Sequence, residues 1–169
     1  LTQAMVASLQ ASLPEGLAHE IILVDDGSTD GTRAWLGGLH APFRVVLQAS
    51  NRGYAAATNR GAALATGDLL VLLNNDLLLL PGWLEPMLAA HAHLGPRAGL
   101  IGNVQLSVST GAVDHAGMFV SVKGKMEHIR AQPPPLTRWL RPVRPVVAVT
   151  GACVLLARSL WLELGGFDE

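Results

Sequence analysis

Cysteine and charge are both scarce in this chain. A single cysteine, Cys153, excludes an internal disulfide framework and any cysteine-based zinc cluster. Only 15% of the residues are charged and they sum to -1, so there is no electrostatic case for nucleic acid as a partner. No stretch reaches the roughly 18 apolar residues that would cross a bilayer. Leu69–Leu80 comes nearest, and Asn74-Asn75-Asp76 interrupts it. The opening Leu1-Thr-Gln-Ala-Met-Val has none of the features of a signal peptide, and a cytoplasmic domain is expected. A Gly-X-Gly-X-X-Gly turn is also missing, which argues against a dinucleotide-binding dehydrogenase.

What is present is apolar. Half of the 169 residues are hydrophobic, enough for one domain with a real core. The sequence is organised around Leu69-Leu-Val-Leu-Leu-Asn-Asn-Asp76, an apolar run that stops at two amides and a carboxylate. Such a run reads as a strand buried on both faces in the middle of a parallel sheet, with Asn74, Asn75 and Asp76 at its carboxyl end. Ligands of open α/β folds bind outside that end of the strands. A carboxylate there can share a divalent cation with substrate phosphates, although an Asn-Asn-Asp cluster can also simply cap a helix begun by Pro81.

In chain order, residues 1–13 suit a helix and Glu20–Asp25 a second apolar strand ending in Asp25-Asp26-Gly27-Ser28. Gly27 allows a tight turn, and Ser28, Thr29 or Asp30 can cap the helix carrying Trp35 and Leu36. Pro42–Gln48 is a third strand, Tyr54–Ala65 an alanine-rich helix, and Trp83–Leu94 a helix started by Pro81. Gly99–Leu106 reads as a strand and 110–130 as a hairpin or meander. Pro133-Pro-Pro135 and segment 138–145 read as a mobile loop. Val146–Leu156 is a strand interrupted at Thr150-Gly151-Ala152, and Ser159–Leu164 a helix ended by Gly165. Alternating strands and helices imply a mostly parallel sheet in the first half, with Asp25-Asp26, Ser50-Asn51 and Asn74-Asn75-Asp76 on one rim. The chain is expected to divide into a regular 1–104 part and a more irregular 105–169 part, which the resemblance given below would make a donor-binding subdomain and a partial acceptor side.

Taken together, Val24-Asp-Asp-Gly-Ser-Thr-Asp-Gly-Thr32, Asn51-Arg-Gly-Tyr-Ala-Ala-Ala-Thr-Asn-Arg-Gly61, Ala65-Thr-Gly-Asp68, Leu72-Leu-Asn-Asn-Asp76, Pro81-Gly-Trp-Leu84, Asp114-His-Ala-Gly117, Thr150-Gly-Ala-Cys153 and Gly165-Gly-Phe-Asp-Glu169 resemble family 2 glycosyltransferases. The Asp114–Gly117 block is most similar to the rhamnosyltransferase-type branch that builds surface polysaccharides. The resemblance implies the GT-A fold, a UDP- or dTDP-sugar donor, a divalent metal (Mg²⁺ or Mn²⁺), a saccharide or lipid-linked acceptor and inversion at the anomeric carbon. It also leaves room for peripheral attachment to the inner face of the cell membrane.

Carried over residue by residue, Asp26 would accept a hydrogen bond from the pyrimidine, with Asp25 shaping the turn. Arg52, Gly53, Asn59 and Arg60 would line the nucleotide side. Asn74 stands at the first position of the family's Asp-X-Asp motif, Asn75 would lie near the ribose or sugar, and Asp76 would bind the metal. Thr150, Gly151 and Ala152 match the acceptor side, as do Asp168 and Glu169. The general base of such enzymes usually follows the Gly-Gly-Phe-Asp-Glu block. It is expected beyond Glu169, with Asp168 and Glu169 as weak substitutes. The family's opening buried strand has no counterpart here, so a truncated piece is expected, with a sheet edge open to pairing with a second copy.

Two other readings remain in view. Asp25-Asp26, Asp76 and Thr150 imitate a phospho-acceptor signalling domain. The interval from Asp76 to Thr150 is far too long for one, and Lys123 and Lys125 precede Thr150 where a lysine must follow it. A nucleotide-sugar-binding piece without turnover is the closer rival. His115 is read as a buried histidine fixing the turn before Gly117 rather than as a donor or metal ligand, and Cys153, Trp35 and Trp83 as core.

Overall fold

A computed structural model describes residues 1–130 and 143–169; most of the loop expected at 133–145 lies outside them. The chain forms two compact units. Unit I comprises Thr2, Glu15–Leu70 and Ala157–Glu169, and unit II comprises Leu1, Gln3–Pro14 and Val71–Leu156. Each draws on residues before and after position 104.

In unit I, β1 (Ile21–Asp25) pairs in parallel with β2 (Phe43–Leu47), in register from Ile21 opposite Phe43 to Asp25 opposite Leu47. Parallel strands need a crossover, which carries α2 (Thr32–Gly37). Both α2 and α3 (Tyr54–Ala62) pack against β1. Ile21, Leu36, Ala56, Ala62, Leu70 and Trp161 are its buried apolar residues. The start of α2 differs in detail from expectation. Gly31 occupies the cap position, and Asp30 Oδ1 accepts the Thr32 N–H at 2.9 Å. The helix α5 (Arg158–Leu164) ends, as its sequence indicates, at Gly165 in the left-handed conformation.

The helix α3 stops at Ala62, short of the expected Ala65. Tighter turns follow, with Leu64 N on Gly61 O and Ala65 N on Ala62 O. Beyond them the Glu20 carboxylate takes over the backbone. Its Oε1 accepts Thr66 N at 2.6 Å, Thr66 Oγ1 at 2.8 Å and Gly67 N at 3.2 Å. These bonds, the Thr66 N–H first among them, hold the Glu20 carboxyl below its ordinary value of 4.5. The folded state therefore binds fewer protons than the unfolded state just below pH 4.5, and this contribution is lost as pH falls through the lowered value. Acid unfolding followed by circular dichroism is expected to be less steep in Glu20→Gln, which has no such proton to gain.

Unit II is built on α1 (Thr2–Ser12), which buries Met5, Val6 and Leu9. Two hydroxyls fasten it: Ser8 Oγ accepts Leu79 N, and Ser12 Oγ accepts Trp83 Nε1, both at 3.1 Å. A three-stranded sheet has the order β3 (Leu69–Leu73), β9 (Cys153–Ala157), β4 (Ile101–Gly102), with β4 antiparallel to β9. Among the described residues β9, not β3, is the middle strand of that sheet. The burial explains why. Cys153, Val154, Leu155 and Leu156 are all buried, whereas β3 buries Leu70 and Leu72 and leaves Leu69, Val71 and Leu73 half-buried. Leu155 and Leu156 are 0% and 1% exposed, and such side chains contribute roughly 2 kcal/mol each.

The expected strand over 146–156 starts only at Cys153, because the Thr150–Ala152 turn breaks it; before the turn Ala148 makes a lone bridge to Met118. Pro81 does not begin a helix. Pro81-Gly82 forms a turn, and α4 (Glu85–Leu94) starts later with Pro86 in its first turn. The expected strand 99–106 is divided into β4 and β5 (Gln105–Leu106). The latter is antiparallel to β6 (Val113–His115), and β7 (Met118–Val120) forms a hairpin with β8 (Met126–His128). No helix among the described residues is long and apolar enough to cross a membrane.

Candidate functional site

The carboxyl end of β1 carries two acids with opposite surroundings. The Asp25 side chain is fully buried. It faces Arg33 Nη1 at 3.1 Å, and the Ser28 N–H lies 3.3 and 3.4 Å from its oxygens. Arg33 also donates to Gln48 O at 2.6 Å, so it ties the end of β1 to the end of β2. Sequence reasoning missed Arg33. The signal for it was a cation in the first turn of the helix that returns over an acidic strand end.

Asp26 points the other way. Its Oδ1 accepts Gln48 Nε2 at 2.8 Å and Arg52 N at 2.9 Å, and its Oδ2 accepts Gly53 N at 2.8 Å. A carboxylate has about four acceptor positions, so one is left on Oδ2. Gly27 makes this possible. Its φ is +76°, and a Cβ there would stand 2.5 Å from Asn51 N and 2.6 Å from Ser50 C. Only glycine lets the 50–53 segment come close enough to offer its N–H groups to Asp26. The expected neighbours Asp25, Asp26, Arg52 and Gly53 are thus brought together, and Gln48 joins them.

Asn59 is engaged elsewhere. Its Nδ2 donates to Phe167 O at 2.8 Å and Glu169 Oε1 at 3.1 Å, and its Oδ1 accepts Phe167 N at 2.9 Å. Arg52 Nη2 meets Glu169 Oε2 at 3.1 Å. Phe167 lies against Tyr54 and Trp161, with ring centroids 5.7 and 5.1 Å apart. The last residues of unit I are therefore strapped onto α3, and both protons of the Asn59 side-chain nitrogen are used in the strap. Arg60 is exposed in the last turn of α3 and Asp168 is exposed beside the strap.

The other expected site residues belong to unit II. Asn74 N donates to Ala152 O at 2.9 Å, which joins the turn after β3 to the Thr150–Ala152 turn. The Asn74 Oδ1 atom is buried with no hydrogen-bond partner among the described residues. Asn75 and Asp76 are exposed. Among the described residues no group of three or more His, Cys, Asp or Glu side chains is placed to hold a metal ion. His115 is 1% exposed and accepts backbone N–H groups, as a turn-fixing histidine should. Burial pushes the Cys153 thiol up to about 12. The folded protein is expected to resist iodoacetamide at pH 8 and to react once denatured, which mass spectrometry would read directly.

The model of the family described as "Glycosyl transferase family 2" matches residues 2–158. The chain belongs to glycosyl transferase family 2. It is 35% identical over 97 residues to the O-antigen biosynthesis protein RfbC of Myxococcus xanthus, a match covering 53% of this chain and 7% of that protein. Its fold is similar to the crystal structure of GalNAc-T7 with UDP, GalNAc and Mn²⁺ (TM-score 0.67, 18% identity, 97% of this chain and 33% of that one). It is also similar to the mannosyltransferase PcManGT of Pyrobaculum calidifontis with GDP-Man and Mn²⁺ (TM-score 0.59, 20% identity, 99% and 43%). The chain thus spans less than half the length of each of these relatives. The fold is the α/β GT-A type expected from the sequence.

Proposed function

We propose that this family 2 chain binds a pyrimidine nucleoside-diphosphate sugar, UDP- or dTDP-linked, and takes part in inverting sugar transfer to a saccharide or lipid-linked acceptor. The observation that carries the reading is the Asp26 cradle. Three donors hold its carboxylate in place and one acceptor position remains, which suits the single N3–H of uracil or thymine. Asp25 and Arg33 keep the strand end rigid beneath it, and Arg52 and Gly53 form its wall. Family membership and the name of the Myxococcus relative favour surface-polysaccharide synthesis. The Asp114-His-Ala-Gly117 block favours a rhamnosyl-type donor, and a lipid-linked acceptor would place the reaction at the inner face of the membrane.

The residues after β3 fit a divalent cation. Asp76 offers an exposed carboxylate, and Asn74 Oδ1 is a buried hard oxygen without a partner among the described residues. So small a protein donor set suits an ion shared with substrate phosphates. Mg²⁺ or Mn²⁺ bound there would neutralise charge on the departing diphosphate. Asn75 would lie beside the ribose or sugar, and Thr150, Gly151 and Ala152 beside the acceptor. Inversion needs a general base within hydrogen-bond reach of the acceptor hydroxyl. Glu169 is bonded to Arg52 and Asn59, which suits it to holding the strap rather than to moving a proton. That same tie favours the second reading, in which these residues bind the donor and a base outside them is needed for turnover.

Calorimetric titration with UDP and with dTDP, with and without Mn²⁺, tests the reading. Mn²⁺-dependent binding that Asp76→Ala abolishes is the expected result. Binding that ignores both the metal and the substitution would sink the assignment of Asp76, and no binding by folded protein would sink the donor site.

A further inference from the structure

The meander of unit II encloses a histidine pair that the family reading does not use. His115 ends β6 and is 1% exposed. Its Nε2 lies 3.3 Å from Gly117 N and 3.3 Å from Thr150 N, and its Nδ1 lies 3.2 Å from His128 Nδ1. The two rings meet edge to face, with centroids 4.9 Å apart. Backbone N–H groups only donate, so Nε2 must present its lone pair to both. The proton of a neutral His115 is then on Nδ1 and points at His128. That in turn obliges His128 to carry its own proton on Nε2.

Thr150 is not an isolated end of this chain of bonds. Ala152 N lies 3.4 Å from Thr150 Oγ1, and Ala152 O accepts Asn74 N at 2.9 Å. His115 is therefore linked through the 150–152 turn to the turn that carries Asn74 and Asp76, all within one compact unit. The surroundings are built to hold the imidazole still. Ala116 N and Ile129 O, Ile129 N and Gly117 O, and Met118 N and Ala148 O are paired at 3.0, 2.8 and 2.9 Å. Arg144 Nη2 donates to Ala116 O at 2.8 Å.

We propose that His115 is a positioning residue for the donor and metal site: as a neutral imidazole with its proton on Nδ1, it fixes the Thr150 N–H and so sets the Thr150–Ala152 turn and the Asn74–Asp76 turn bonded to it. The proposal rests on the donor-site reading for its functional consequence and on the hydrogen bonds alone for its structural one. A proton added at Nε2 would face two N–H groups, so acid should release both turns. Among the described residues the charged and titratable groups around the ring are His128 on β8, Asp114 on β6, Arg130 bridging to Asp114 at 3.3 Å, and Arg144. Burial and the neighbouring His128 hold the His115 ring below its ordinary value, while Asp114 acts in the opposite sense.

Three readouts on the described chain test this. Long-range proton–nitrogen NMR of the histidine rings should show Nδ1–H for His115 and Nε2–H for His128; an Nε2–H form of His115 at neutral pH would overturn the proposal. In His115→Leu, which keeps bulk without an acceptor, amide exchange at Thr150 and Asn74 should accelerate. Mn²⁺-dependent UDP affinity should fall about tenfold, the usual scale for groups that orient a metal site from behind it. His115→Gln places an amide oxygen where Nε2 stands and should restore most of that affinity while removing its loss in mild acid. Unchanged exchange at Thr150 in His115→Leu, or faster exchange with unchanged UDP affinity, would each overturn it. Should His115→Leu fail to fold, the ring tautomers and the acid response of His115→Gln against wild type decide. If wild type binds no UDP, the functional reading fails, and the tautomer and exchange results still judge the positioning role.

Discussion

Replacing Arg33 with methionine is expected to destabilise the fold by about 2–3 kcal/mol, less than for a fully buried ion pair because the guanidinium is partly screened by solvent. The asymmetry of the pair is the reason. The Asp25 side chain has no exposure, while that of Arg33 is 41% exposed. Methionine would cover the same surface but leave a carboxylate without its cation, with only the long contacts to Ser28 N as compensation. The bond from Arg33 to Gln48 O would go as well. Urea denaturation would show the loss as a lower midpoint at unchanged slope. The double change Asp25→Asn with Arg33→Met should recover at least half of the loss, because it removes the stranded charge. Failure to recover would mean that the tie between the two strand ends matters more than the buried charge.

That pair also shows where sequence reading reaches its limit. The strands Ile21–Asp25, Phe43–Leu47 and Leu69–Leu73 were legible within a residue or two, because an apolar run between turn residues has few alternatives. Gly27 was legible as a turn, and the resemblance singled out Asp26, whose carboxylate the structure sets against Gln48, Arg52 and Gly53. Arg33 and Gln48 were not legible, because each acts through a partner set by strand register, and register is a property of two segments. The parallel pairing places Gln48 one step past Leu47, the partner of Asp25, and only then does its amide meet Asp26.

A similar limit separates the motif Gly165-Gly-Phe-Asp-Glu169 from its structural work. The block resembles an acceptor-side element, yet here Phe167 and Glu169 are bound by Asn59 and Arg52, on and just before α3. Gly166, at φ +82°, has room for no Cβ, since one would stand 2.6 Å from Asn59 Oδ1. Two blocks that the sequence keeps far apart thus depend on each other's backbone. Which of β3 and β9 is the middle strand was misread for a different reason. Both are apolar, and which is central depends on how many faces are covered, which composition does not record.

The substitution Asp26→Asn is expected to disable nucleotide binding although it changes one atom. Each oxygen of Asp26 receives at least one backbone N–H: Oδ1 that of Arg52, Oδ2 that of Gly53. In asparagine one of the two positions becomes an NH₂ group, and whichever way the amide turns, that group faces a donor. Gln48 can turn its own amide to adapt; the backbone N–H groups cannot. Hydrogen bonds to charged groups are worth about 1.5–3 kcal/mol, so a loss of roughly 2 kcal/mol in stability is expected, since Asp26 is only half-buried. On the proposed reading of Asp26, the lost acceptor for the base and the displaced 52–53 segment act in the same direction on affinity. UDP or dTDP should therefore bind at least about tenfold more weakly, equivalent to about 1.4 kcal/mol, in titrations where the protein is shown to be folded. Asp26→Ala, which removes the oxygens without adding a donor, should hurt binding as much but stability less. If Asp26→Asn instead binds nucleotide like wild type, the carboxylate serves the turn alone and the base is read elsewhere.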